Sequence, residues 1–254
     1  MKGVHTALIT PFVEGRLDRD AFQRLARRQI NAGVAGLVPC GTTGETPTLS
    51  DAEQLEIIRC VVKVVAGRVP VVAGTGSNST AKSITASKAA LAAGVDAVMI
   101  VMPYYNKPSQ DGMREHVVTI AKNVGDAPII VYNIPGRSVV DLSSVATAQI
   151  CERAANVVAI KDATGNVLRC QDLKRRLGDR LTVMSGDDGL TLGMMAAGAS
   201  GVISVSSNVI PDLVSQVTTA IARGDYAAAR ALHFSLLELH ALMFVEPNPG
   251  PAKA

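Results

Sequence analysis

One junction recurs along the chain. Ala32-Gly33-Val34-Ala35-Gly36-Leu37-Val38, Ala93-Gly94-Val95-Asp96-Ala97-Val98-Met99 and Ala197-Gly198-Ala199-Ser200-Gly201-Val202-Ile203 are three versions of it. A helix that ends at a glycine can close in the left-handed conformation, and the small residues that follow let the chain turn tightly into a buried strand. The strands are continuous apolar runs rather than alternating ones, the mark of a parallel sheet covered on both faces. Eight such runs are read at 4–10, 36–40, 69–74, 97–102, 128–133, 157–161, 181–185 and 201–204.

Amphipathic segments fill the gaps. Asp18, Ser50, Ser79, Ser109, Ser143 and Asn166 are placed to cap them, and Ser50 with Glu53 spells a capping box. Eight strand–helix units of roughly 30 residues fit a closed (β/α)8 barrel. A doubly wound open sheet would carry a glycine-rich phosphate turn after its first strand. Here that place holds Pro11-Phe12-Val13-Glu14-Gly15, and Gly74-Thr75-Gly76-Ser77-Asn78 follows the third run and reads as a tight turn. The expected organisation is a barrel over residues 1–224, followed by the start of a C-terminal helical region at 225–254. Helices are expected at 210–223 and from 225 to about 244. The proline-rich 247–254 end is expected not to be helical.

The net charge of +3 is too small to call for a polyanionic partner. With no Trp, four Phe and four Tyr there is little to build a base-stacking platform, so nucleic acid is not an expected ligand. Arg16, Arg19, Arg24, Arg27 and Arg28 read as the wet face of an amphipathic helix. No run approaches the ~18 apolar residues of a membrane span, and the N-terminus lacks the core of a signal peptide. Cys40, Cys60, Cys151 and Cys170 are widely spaced and read as reduced, which points to the cytoplasm. His5, His116, His233 and His240 include no metal-type pair, so no metal is expected.

In a barrel of this kind the chemistry collects where strands end. Following the runs there gives Gly41-Thr42-Thr43-Gly44, Pro103-Tyr104-Tyr105-Asn106, Tyr132-Asn133-Ile134-Pro135-Gly136-Arg137, Lys161-Asp162 and Gly186-Asp187-Asp188. Three of the four tyrosines lie at these ends. Lys161 closes an apolar run, where it either reaches water or sits in a poorly hydrated pocket. In such a pocket desolvation penalises the ammonium, and the neutral amine condenses with carbonyl compounds. Vicinal threonines between glycines can hold a small carboxylate, a tyrosine can relay protons, and an arginine fork can clamp a second carboxylate. Taken together these residues favour the pocket: a site for a 2-oxo acid and a second acidic substrate, with no cofactor beyond a covalent imine to the substrate itself.

These separated motifs, in this order, resemble the pyruvate-dependent class I aldolase and lyase family that contains the dihydrodipicolinate synthases and N-acetylneuraminate lyases. The likeness runs from the first strand to Phe244-Val245-Glu246-Pro247-Asn248-Pro249. It is nearest the synthase branch, because Arg137 and the Tyr104-Tyr105-Asn106-Lys107-Pro108 run are typical there. The resemblance implies that Lys161 forms the Schiff base with pyruvate. It implies that Tyr132 exchanges the proton at the imine in a relay with Thr42 and Tyr105, the latter reaching across a dimer interface. It gives Thr43 the pyruvate carboxylate, Gly186 and Ile203 the pocket lining, and Arg137 the carboxylate of L-aspartate 4-semialdehyde. A homotetramer built from dimers is implied, along with a place in lysine and diaminopimelate biosynthesis. Asn78 and Tyr104 match a lysine-binding allosteric site, but Lys82 and Asp51 stand where lysine-inhibited members carry Glu and His, so feedback is expected to be weak or absent. Family members usually continue past residue 254, so apolar surface on the last helices is expected to lack some of its cover. Two other readings stay open: a pyruvate aldolase acting on a sugar acid, and a catalytically silent barrel used for binding.

Overall fold

The computed structural model describes residues 1–254. Eight parallel strands alternate with helices: β1 (Gly3–Ala7), β4 (Gly36–Val38), β5 (Val72–Gly74), β6 (Ala97–Val101), β7 (Ile129–Asn133), β8 (Val157–Asp162), β9 (Thr182–Ser185) and β10 (Gly201–Ser204). Their hydrogen-bonded order is β4-β1-β10-β9-β8-β7-β6-β5. The ring closes between β4 and β5 through a parallel bridge at Leu37 and Val71, where Leu37 N donates to the Pro70 carbonyl at 3.0 Å and Gly74 N to the Pro39 carbonyl at 3.0 Å. The architecture is therefore a (β/α)8 barrel, and every apolar run read from the sequence supplies one of its strands.

The surrounding helices are α1 (Arg19–Asn31), α2 (Asp51–Val65), α3 (Thr80–Ala92), α4 (Gln110–Asn123), α5 (Pro135–Ser138), α6 (Ser144–Arg153), α7 (Val167–Leu177), α8 (Thr191–Ala196) and α9 (Pro211–Ala222). All six expected caps accept a backbone N–H of their helix, and the Ser50–Glu53 capping box is complete. Such caps contribute ~1 kcal/mol each. Gly33, Gly94 and Gly198 adopt φ of +81°, +95° and +103°, the left-handed closure that the recurring junction requires.

Side chains segregate by strand alternation. Phe22, Leu37, Ile57, Ile100, Ile120 and Ile160 belong to a large core between strands and helices. A second, smaller cluster fills the barrel: Ala7, Val38, Met99, Ile130, Tyr132, Ala159, Met184 and Ile203 are among its members. Burying each large side chain contributes roughly 1.5–3 kcal/mol. After the barrel, α10 (Tyr226–Leu242) packs on α9 through Val217, Ile221, Ala229 and Leu236. Its other face leaves Phe234, Leu237 and Leu242 exposed, and Phe244 and Val245 follow. No helix is long and apolar enough to cross a membrane.

Two expectations need correction. Arg16 is not on the helix face with the other arginines. It lies in a small antiparallel hairpin, β2 (Phe12–Val13) and β3 (Arg16–Leu17), turned by Glu14 and Gly15 at positive φ. The 247–254 end is not free of helix: Gly250–Lys253 forms one turn, α11. Pro251 sits in its first turn, where a missing N–H costs nothing. The four histidines are all buried: burial is the main cause that pushes His5 and His116 down to about 4, and His240 Nδ1 meets Ser206 Oγ at 2.8 Å.

Candidate active site

Lys161 and Tyr132 are direct partners in the β7–β8 register, next to Met184 on β9. On β8, Ala159 points into the barrel and Ile160 outward, so alternation turns Lys161 inward and Asp162 outward. The outcome is a lysine only 4% exposed, its Nζ 4.1 Å from the centre of the Tyr132 ring. The strand-end reading of Lys161 as a solvated residue is thus overturned by which face of the strand it occupies. Ile203, on β10, is fully buried and belongs to the same barrel-filling cluster as Tyr132 and Met184.

Asp162 braces the strand from the other side. Its carboxylate accepts from Arg169 Nε at 2.6 Å, from Thr164 N at 3.0 Å and from Thr164 Oγ1 at 2.6 Å. Arg169 also donates to the Leu142 carbonyl. Gly186 N donates to the Asp162 carbonyl at 2.7 Å, and a side chain at 186 would stand 2.6 Å from the Ala163 Cβ, so this approach requires glycine.

Thr42 and Thr43 begin a 3-10 turn, Thr42–Gly44, separated from β4 by three residues. Thr43 is buried and Thr42 half-buried. The Thr43 hydroxyl accepts from Asn248 Nδ2 at 3.1 Å. Asn248 was absent from the sequence-derived set: it lies 205 residues away, in a proline-rich stretch with no periodicity to flag it.

Two candidates do not join the buried group. Tyr105 is 87% exposed, at a φ of +70°, and projects from the rim. Arg137 is exposed on α5, with its backbone N–H bonded to the Ile134 carbonyl at 3.0 Å. Asn78 and Tyr104 lie on neighbouring rim loops, where Asn78 Nδ2 donates to Asn106 Oδ1 at 2.7 Å and Tyr104 is half-buried.

Sequence reasoning also missed a polar cluster between the β9 and β10 ends. Asp188 is buried and accepts from Ser204 Oγ at 2.5 Å, Val205 N at 2.8 Å and Ser206 N at 3.0 Å. Through Ser206 it reaches His240 on α10, and His233 Nε2 meets the Gly189 carbonyl at 3.1 Å. The Gly-Asp-Asp motif was visible in the sequence, but its partners come from other elements. Burial holds the neighbouring Asp187 carboxyl above its ordinary value. The four cysteines are unpaired, and burial raises the Cys40 thiol to about 12 and the Cys170 thiol to about 11, which keeps both protonated. No three His, Cys, Asp or Glu side chains are arranged to hold a metal ion.

The model of the dihydrodipicolinate synthetase family matches residues 1–254. A 4-hydroxy-tetrahydrodipicolinate synthase of Sorangium cellulosum is 64% identical over 256 residues, covering 100% of this chain and 85% of that protein. The crystal structure of dihydrodipicolinate synthase from Aquifex aeolicus superposes with a TM-score of 0.97 at 43% identity, covering 100% of this chain and 86% of that one. A structure described as the first monomeric dihydrodipicolinate synthase variant superposes at 0.96 with 38% identity, covering 99% and 85%.

Proposed function

This chain belongs to the dihydrodipicolinate synthetase family, and on that premise we propose how its rim residues divide the work. The reaction is the condensation of pyruvate with L-aspartate 4-semialdehyde to 4-hydroxy-tetrahydrodipicolinate, in lysine and diaminopimelate biosynthesis. The enzyme is a lyase of the class I aldolase type.

The observation that carries the assignment is a primary amine held inside the barrel, 4% exposed and 4.1 Å from a tyrosine ring. Lys161 Nζ attacks the pyruvate carbonyl carbon, and the carbinolamine loses its hydroxyl as water to give the imine. Loss of a methyl proton gives the enamine. Its nucleophilic carbon bonds to the aldehyde carbon of the second substrate, whose oxygen takes up a proton and remains as the 4-hydroxyl. The substrate amine then attacks the imine carbon and displaces Lys161, so one water leaves in all and the lysine is regenerated.

Tyr132 gives and takes the protons at the imine, relayed through Thr42 and Tyr105. Thr43 and the Gly41–Gly44 backbone hold the pyruvate carboxylate, with Gly186 and Ile203 lining the pocket. Arg137, exposed at the mouth, holds the carboxylate of the semialdehyde in a fork. No cofactor takes part beyond the substrate imine.

Tyr105 cannot serve its own relay while it projects into solvent, and this supports a dimer in which it enters the site of a neighbouring protomer. The proposed assembly is a homotetramer of such dimers, working in the cytoplasm.

Borohydride reduction with pyruvate is expected to add one substrate residue at Lys161, seen by peptide mass spectrometry, and K161A is expected to abolish it. An adduct at another lysine would refute the assignment. Turnover of 2-keto-3-deoxy sugar acids in preference to aspartate semialdehyde would move the enzyme to another branch of the family.

A further inference from the structure

We infer that Asn248 is a positioning residue of the carboxylate pocket: its carboxamide fixes the direction in which Thr43 donates its hydroxyl proton. The inference rests on the reading of Thr43 as the donor to the pyruvate carboxylate.

A threonine hydroxyl has one proton and two lone pairs, whereas a carboxylate only accepts. A buried threonine is therefore useful to a carboxylate only if its proton is not already spent on a protein acceptor. Asn248 Nδ2 fills a lone pair of Thr43 Oγ1 at 3.1 Å. The Thr43 hydroxyl donates to no protein acceptor, so its proton stays available to a ligand.

The other end of the carboxamide supports the same conclusion. Asn248 is 8% exposed, and its Oδ1 is buried with no partner in the protein. An orphan acceptor of this kind costs about 1–3 kcal/mol unless water or a ligand meets it, and native proteins keep few of them. Its presence beside a substrate-binding threonine is explained if the amide is there for that threonine rather than for packing.

The chain takes care to deliver it. Lys253, on α11, pairs with Glu45 and lies 4.8 Å over the Phe12 ring. Glu45, two residues beyond Thr43, is held at a φ of +61°. The C-terminal segment thus grips the threonine loop at two points, one through a charge pair and one through the Asn248 amide.

The test compares T43V, N248A, N248D and T43V/N248A by steady-state kinetics in pyruvate, with borohydride trapping as a second readout. T43V is expected to raise the pyruvate KM by about tenfold, and N248A by about fivefold with kcat changed less, as for one lost hydrogen bond. N248D is expected to be worse than N248A, because a carboxylate would take the Thr43 proton for itself and repel the substrate. In the T43V background N248A is expected to add less than about twofold, since the group it orients has gone.

Additive losses in the double variant, or an N248D enzyme no worse than N248A, would overturn the inference while leaving Thr43 as the carboxylate donor. A T43V enzyme with an unchanged pyruvate KM would instead remove the reading of Thr43, and this inference with it. N248D is nearly isosteric and guards against a tail that detaches when the side chain is shortened.

Discussion

Replacing Arg169 by leucine tests how the strand carrying Lys161 is held. Asp162, one residue after Lys161, has a side chain 1% exposed, and that of Arg169 is 9% exposed. The pair is close, at 2.6 Å from Nε to Oδ2, and the second Asp162 oxygen is occupied by Thr164. R169L keeps the bulk of the side chain but strands a carboxylate oxygen away from water and takes a donor from the Leu142 carbonyl. Breaking one side of a buried ion pair costs about 3–5 kcal/mol. For a chain of this size each kcal/mol moves the melting temperature by about 2–4 °C, so a fall of roughly 6–20 °C is expected. The assay is thermal melting by circular dichroism, with urea unfolding in parallel. D162N/R169L should recover much of the loss, because an amide in place of the carboxylate leaves no uncompensated charge. A fall of less than about 2 °C in R169L, or a double variant no more stable than the single, would refute the argument that charge burial dominates here.

Three other outcomes are expected. His5 and His116 have pKa values pushed down to about 4 by burial, from 6.5. The unfolded chain therefore binds more protons in that window. Stability is complete above about pH 6.5 and falls as the pH drops toward 4, by ~3 kcal/mol for each histidine. Urea midpoints across this range should show it, and an H116Q variant with the same slope as the parent would count against it. A Cβ at Gly201 would meet the Gly3 carbonyl oxygen at 2.0 Å, across the β1–β10 seam, whereas Gly250 has open space around it. G201A should cost at the upper end of about 1–3 kcal/mol and G250A almost nothing, and equal melting temperatures would show the seam to be more compliant than its geometry implies. The family resemblance implies a lysine site at Asn78 and Tyr104, where a cation at Lys82 would repel the ligand's ammonium, so L-lysine is expected to inhibit weakly or not at all. K82E should bring inhibition closer, and strong sub-millimolar inhibition of the parent would contradict this.

How far the fold could be read is clear from particular residues. Ser50 with Glu53, and Gly33 with its counterparts Gly94 and Gly198, act within one turn of chain, so their roles follow from local chemistry and are found as read. Pro251 misled because proline opposes helix only in the interior, and α11 is too short to have one. Arg16 misled because spacing alone cannot distinguish the residue before a cap from those after it; Asp18 starts the helix and leaves Arg16 in the hairpin.

Lys161, Tyr132 and the threonine pair were conspicuous in the sequence because polar residues at the ends of apolar runs stand out against them. Their mutual placement was not, since an amine at a strand end can face either water or the barrel. Strand register decided it, by setting Lys161 beside Tyr132 on the inner face and sending Asp162 out to Arg169. Asn248 and the Asp188–Ser206–His240 contacts were beyond reach for the same reason. Local sequence specifies what a segment forms and which residue types it offers. Which side chains meet across 34 or 205 residues depends on how helices and strands pack, and packing energy is a property of the assembled barrel rather than of any segment.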